Sequence, residues 1–314
     1  MKKIKILIKL LIIIFAFFIV GIFSDKLNNT YAATTSYDIN AIDESRYPGY
    51  KSLLQNIQAQ YPNWKIKLYY TGLDWNSVIA NEYSGHGSSP KNLIYDTYTG
   101  EWICPICGYT RYDLSKRWYC ASQEAIAYMM DPRNSLSEEY IFQFQDLSSS
   151  VGDRDAVKKM VQGTFLATNE SYIDAIMQAA TQNSISPFHI VSRLKQEQGA
   201  DGRGALNGYV YTTETGQKVV VYNLFNIKAS GNDTQAGLLA GAKYAYEQGW
   251  FSVEASIIGG AQFIKDDYMS VGQTTLYFQK FDVIEQDGLY NHQYMQNLTA
   301  ANTEGNTMYR GYRD

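Results

Sequence analysis

The apolar residues of the second half of the chain recur at helical spacing, and this periodicity constrains the fold more than any other feature. Ile173, Ile176, Met177 and Ala180 share one helix face. Ser186-Pro187 supplies an N-cap followed by a first-turn proline, so a new helix is expected to start at Pro187. Leu238, Leu239, Ala242, Ala245 and Tyr246 mark a further helix ended by Gly249, and Ile257, Ile258, Ala261 and Ile264 mark one more after Ser252. Between them, Gly208 to Val221 is rich in Gly, Thr, Val and Tyr and contains Glu-Thr-Gly-Gln, the signature of a hairpin. A compact helical lobe interrupted by one hairpin is expected over residues 151–314.

The first half is mixed in character. A short helix from Tyr50 carries Leu53, Leu54 and Ile57 on one face, and Trp64, Ile66, Leu68 and Tyr70 then alternate with Lys65, Lys67 and Tyr69, the period of a half-buried strand. Asp74 can cap a helix carrying Val78 and Ile79, and Ser135-Leu-Ser-Glu138 has the spacing of a capping box leading into Tyr140, Ile141 and Phe142. The polar break Ser148-Ser-Ser-Val-Gly152 separates this part from the helical one. The fold class expected is α+β, mainly helical, with a smaller mixed α/β lobe at 34–150.

The start Met-Lys-Lys-Ile-Lys is basic, and an unbroken apolar run of 14 residues follows from Leu10 to Phe23. That run is shorter than the roughly 18 to 20 residues of a free-standing membrane span, so residues 1–33 are expected to be a cleaved secretory signal or, with Ile6 to Ile8 included, a membrane tether. The chain carries a formal net charge of −4. Without Lys2, Lys3, Lys5, Lys9, Lys26 and Asp25 the remainder sits near −8. Such a chain has no electrostatic case for nucleic acid, whose affinity rests on Lys and Arg neutralising phosphates. Cys104, Cys107 and Cys120 lie in one short stretch and cannot all pair within one chain. One disulfide with a free thiol is one reading; a zinc site completed by a fourth ligand such as His86 is the other. Export, and the presence of only half of a paired Cys-x2-Cys pattern, favour the disulfide. Either way the cysteines are structural, and neither a catalytic metal nor a cofactor is called for.

On the helix from Pro187, Ile190 and Leu194 are four apart and Glu197 is three further, so all three share one face. Glu197 also falls in the last turn before Gly199, where the helix dipole disfavours a carboxylate. Both surroundings oppose the ionised form, the environment that a general acid needs. The plainer reading is a surface ion pair with Arg193, four residues earlier.

These residues stand in a wider context. His189-Ile-Val-Ser-Arg-Leu-Lys-Gln-Glu-Gln-Gly199 followed by Val221-Tyr-Asn-Leu-Phe-Asn-Ile-Lys-Ala229 resembles the glucosaminidases of glycoside hydrolase family 73. Tyr47-Pro-Gly-Tyr-Lys51, Thr71-Gly-Leu-Asp-Trp75, Asp131-Pro-Arg-Asn134, Ile141-Phe-Gln-Phe144, Gly272-Gln-Thr-Thr-Leu-Tyr277 and Asn291-His-Gln-Tyr-Met295 resemble its membrane-associated or secreted Gram-positive branch. The resemblance covers roughly residues 47 to 300. It implies a lysozyme-like lobe in which a helix ends in the catalytic Glu and a β-hairpin follows across the cleft. Glu197 would be the acid, Asn223 and Phe225 would line the cleft, and Tyr268, Gln273 and Tyr277 would contact the glycan. The substrate implied is the glycan strand of peptidoglycan, cut on the reducing side of N-acetylglucosamine outside the cytoplasm.

The second catalytic carboxylate is expected on the hairpin or the loop after it, roughly 6.5 to 9.5 Å from the acid if the enzyme inverts. Glu214 is the first candidate; Asp233 is the second, although it stands where it would cap the helix near Thr234. Asp201 lies very close in sequence to Glu197, and the substrate's own N-acetyl group could replace a protein base. Two other readings share the fold: a lytic transglycosylase, which closes muramic acid on itself without water, and a wall-binding protein with an idle cleft.

Overall fold

The computed structural model describes residues 34–112, 117–148, 152–230, 234–284 and 288–313. The expected signal or tether at 1–33 lies outside the described residues, and among those residues no helix is long and apolar enough to cross a membrane.

The chain opens with β1 (Thr34–Ser36), α1 (Tyr50–Gln60) and β2 (Leu68–Tyr70), and β1 pairs antiparallel with β2. Leu54 and Ile57 are the buried residues of α1. The alternation from Trp64 to Leu68 holds as exposure, with each lysine outward, but ladder bonds form only over Leu68–Tyr70 because β1 opposes just those three residues. Then α2 (Trp75–Glu82) starts where Asp74 accepts from the Ser77 amide at 2.9 Å. A second antiparallel pair, β3 (Leu93–Tyr95) with β4 (Trp118–Cys120), leads into α3 (Gln123–Met130).

The capping box expected at Ser135 does not form. Residues Pro132–Ser135 and Ile141–Phe144 are 3-10 turns, and no α-helix follows. Ser135 is buried, and its hydroxyl accepts instead from the Asn302 amide at 3.2 Å. Packing against the last helix, α10 (Ala300–Arg313), overrides the local propensity: Gly305 brings that helix so close that a Cβ there would stand 2.6 Å from the Gln143 backbone nitrogen.

The helical half comprises α4 (Arg154–Val161), α5 (Glu170–Asn183), α6 (Pro187–Gln198), α7 (Thr234–Glu247), α8 (Val253–Asp267) and α9 (Leu276–Phe281). Between α6 and α7 stands the expected hairpin, β5 (Tyr209–Thr212) with β6 (Lys218–Val221), in register Tyr209 to Val221. One core unites Ile173, Ile176, Ile190, Leu194, Leu224, Ile257 and Ile264. The small residues Gly241, Ala242 and Ala245 are the buried face of α7, while Leu238 and Leu239 are exposed. A second core joins Ile94, Ile103, Tyr119 and Ile126 to Tyr277, Phe278 and Phe281 of α9, so the chain after α8 returns to pack on the first half.

Candidate active site

The helix that carries Glu197 is framed by local chemistry at both ends. Ser186 accepts from the His189 amide at 3.4 Å, Pro187 needs no amide partner in the first turn, and Gly199 stops the helix with φ 68° while its N–H reaches the Lys195 carbonyl at 2.9 Å. Ile190 and Leu194 are fully buried and Glu197, on the same face, is half-buried at the rim.

The loop after the hairpin is pulled onto this helix end. Gln198 donates to the Leu224 carbonyl at 2.6 Å, and the Leu224 amide donates to the Ser256 hydroxyl of α8 at 3.0 Å. Asn223 shapes the turn from within, accepting from the Ile227 amide at 3.0 Å and donating to the carbonyls of Ile227 and Gly241 at 2.8 and 3.1 Å. Phe225 is buried flush against α8, where a Cβ on Gly260 would come 2.0 Å from its ring. The turn places Asn226 in the left-handed region, φ 52°, which Asn tolerates better than most residues. Its amide then donates to Glu197 Oε2 at 3.0 Å. Asn226 was not singled out from the sequence; its position three residues after Asn223 in the same motif was the available signal.

Arg193 does not form the surface ion pair with Glu197 that the plainer reading supposed. It is buried, bonded through Nε to Glu304 at 3.0 Å and through a terminal nitrogen to Gln279 at 3.1 Å, with its guanidinium 3.8 Å from the centre of the Tyr294 ring. Burial works against its charge, and Glu304, Tyr294 and Glu197 together favour it, so the cation persists. Tyr268 stacks on His292 at 4.7 Å, and burial pushes its hydroxyl up to about 12, partly countered by the nearby Arg193 charge. His292 in turn meets Asp267 at 3.2 Å. The end of α6, the 223–228 loop, Tyr268 and the 292–294 segment therefore surround one cationic centre beside Glu197.

Other candidates stand elsewhere. Gln273 is fully buried and donates to the carbonyls of Phe278 and His292 at 2.9 and 2.8 Å, while Gln279 donates to its backbone oxygen at 3.2 Å. It supports Gln279 and hence Arg193. Tyr277 is buried with its hydroxyl donating to the Met130 carbonyl at 2.6 Å, and it lines a separate cavity of about 1060 Å³ with Tyr50, Tyr69 and Phe144. Glu214 sits exposed on the hairpin turn. Asp233 lies outside the described residues.

Comparison with known proteins follows the same outline. No family model matches the chain. A β-N-acetylglucosaminidase of Bacillus subtilis is 33% identical over 233 residues, 71% of this chain and 24% of that protein. A bifunctional autolysin of Staphylococcus epidermidis is 30% identical over 205 residues, 62% of this chain and 14% of that protein. The chain thus matches a quarter or less of the length of these relatives. Among solved structures, S. aureus autolysin E superposes with a TM-score of 0.55 at 19% identity, over 76% of this chain and 90% of that one, which establishes the mainly helical α+β, lysozyme-like fold expected from the sequence. A catalytic mutant of autolysin E in complex with the disaccharide NAG-NAM gives the same TM-score at 18% identity. With the helix-borne glutamate, the hairpin and the Asn-Leu-Phe loop assembled as described, the chain belongs to the glucosaminidases of glycoside hydrolase family 73.

Proposed function

We propose that this protein hydrolyses the glycan strands of peptidoglycan, cutting the β-1,4 bond on the reducing side of N-acetylglucosamine, with Glu197 as the general acid. The observation that carries this reading is Glu197 itself: a half-buried carboxyl at the end of α6, its Oε2 held by the Asn226 side chain, with the buried Arg193 cation one turn back on the same helix. In that position the carboxylic proton has one task, delivery to the leaving glycosidic oxygen as the bond breaks. The disaccharide held by the autolysin E mutant, whose fold this chain shares, is the chemistry such a cleft accepts.

Water is activated from the hairpin side by Glu214, with the substrate's N-acetyl oxygen as the alternative, and Glu214→Gln separates the two. Tyr268 offers a stacked aromatic edge to the sugar, while Asn223, Phe225, Gln273 and Tyr277 shape the cleft wall by holding the loop and α9 in place. The working site is outside the cytoplasm, reached through the basic and apolar segment at 1–33 acting as signal or tether.

The test is product chemistry. Purified peptidoglycan digested by the protein and reduced with borohydride is expected to yield N-acetylglucosaminitol ends by mass spectrometry. Muramitol ends would make it a muramidase, 1,6-anhydro ends a transglycosylase, and undigested wall with retained binding a non-catalytic module.

A further inference from the structure

The three cysteines are free thiols, and the fold gathers them. The Cys104 amide donates to the Cys120 carbonyl at 2.9 Å, which sets Cys104 beside the end of β4, and the bridge between Ile103 and Ala121 adjoins that bond. From Cys104 the chain turns back on itself. The Gly108 amide reaches the Cys104 carbonyl at 2.8 Å, with Gly108 at φ 54°, and this brings Cys107 over the same spot. All three sulfurs then lie within 4.8 Å of one another, two on buried residues and Cys107 half-buried. The Cys107 amide points at Cys104 Sγ at 3.4 Å, a donor that suits a thiolate better than a thiol.

A disulfide would join two of these sulfurs and leave the third beside it without chemical purpose. Three converging sulfurs instead match a metal site. Zn–S bonds of about 2.3 Å around a tetrahedral ion put sulfurs about 3.8 Å apart, within reach of the spacing here. Three thiolates with no redox partner select zinc over the hard cations, which prefer oxygen. We infer that Cys104, Cys107 and Cys120 hold one structural Zn²⁺, with His86 as the fourth ligand. On binding, each thiol gives its proton to solvent and each sulfur donates an electron pair to the ion, so three protons leave and no oxidant is involved.

His86 is the histidine on this side of the molecule. Its ring stacks on Tyr83 at 4.5 Å, and the Tyr83 hydroxyl is 3.0 Å from Cys104 Sγ. Its Nδ1 lies 3.2 Å from the Tyr83 carbonyl, which leaves Nε2 for the metal once the ring turns off Tyr83 toward Cys104. The other two histidines are committed elsewhere, His189 inside α6 and His292 against Asp267. The zinc would tie the turn at 104–108 to β4, whose Tyr119 and following Ala121 belong to the second core.

The experiment is metal analysis of the full chain purified without chelator or reductant and under exclusion of air, together with intact mass and cobalt substitution. About one zinc per chain is expected, three thiols that become reactive only after chelation, and a sulfur-to-cobalt charge-transfer band when Co²⁺ replaces Zn²⁺. Single Cys104→Ser, Cys107→Ser and Cys120→Ser chains should lose that band and the bound zinc. A chain with no metal that binds no cobalt, or whose mass is two hydrogens short, overturns the site. His86→Ala should weaken zinc retention against a chelator by about 10- to 100-fold. Unchanged retention in that variant, with the cysteine variants still empty, overturns the role of His86 alone.

Discussion

Asn226 reaches across from the loop after the hairpin and donates to Glu197 Oε2 at 3.0 Å, a bond that, with the one from Gln198 to the Leu224 carbonyl, ties this loop to the end of α6. The carboxyl proposed as the acid is thereby oriented by a residue 29 positions away.

Removal of the proposed acid is the most direct test. Glu197→Gln keeps shape and hydrogen-bonding reach but has no carboxylic proton to donate. Turnover on purified peptidoglycan is expected to fall by about 100- to 10,000-fold, with unchanged melting temperature and wall binding. Retention of more than about a tenth of the activity would place the proton donor elsewhere.

Asn226→Gly separates orientation from backbone strain. Glycine accepts the φ of 52° without cost, so only the side-chain bond to Glu197 is lost. Turnover is expected to drop about tenfold with KM little changed, as for one lost hydrogen bond to a charged group. Unchanged turnover in Asn226→Gly would remove the positioning role, and a changed KM alone would point to sugar contact by Asn226 instead.

A buried ring of two charges and two amides should set much of the stability where α9 packs on the first half. Lys280 donates to Asn92 and Gln293 at 2.7 and 2.9 Å, and both amides donate to Glu82 at 2.8 Å. Burial pulls Lys280 down to about 8, with Glu82 opposing the shift. Glu82→Gln or Lys280→Met alone should cost about 3 to 5 kcal/mol by chemical denaturation, because each strands its partner's charge; the double variant should recover a substantial part.

His189 makes the fold sensitive to acid. It is fully buried, and neither ring nitrogen meets a hydrogen-bond partner among the described residues. Burial, followed by the Arg193 charge, holds it well below its ordinary value, so the native state stays neutral while the unfolded chain binds a proton. The unfolded state therefore gains protons as pH falls through about 6.5, and stability declines in that direction. His189→Leu should flatten the dependence of melting temperature on pH between about 7 and 5; an unchanged slope would assign the acid sensitivity to other groups.

Caps and periods were legible in the sequence wherever the physics is local. Ser186, Asp74 and Ser252 bond to amides three residues on, the spacing alone implies those bonds, and the helices start where expected. The placement of Glu197 at a helix end, on the face of Ile190 and Leu194, followed from the same short-range rules.

Tertiary packing decided the rest. The spacing of Ser135 to Glu138 satisfied every local condition for a cap, yet the Ser135 hydroxyl serves Asn302, 167 residues away. Arg193 could have met Glu197 one turn along and is held instead by Glu304, 111 residues distant, because a guanidinium buried at that depth needs a carboxylate in the same apolar interior. Asn226, Gln279 and the gathered cysteines belong to this second class. Sequence by itself determined the helices whose caps and apolar faces are local, and the place of Glu197 in the last turn of α6; which side chains meet across the cleft, and that no helix follows Ser135, was decided by packing, since a hydrogen bond between distant positions depends on a geometry that no local spacing encodes.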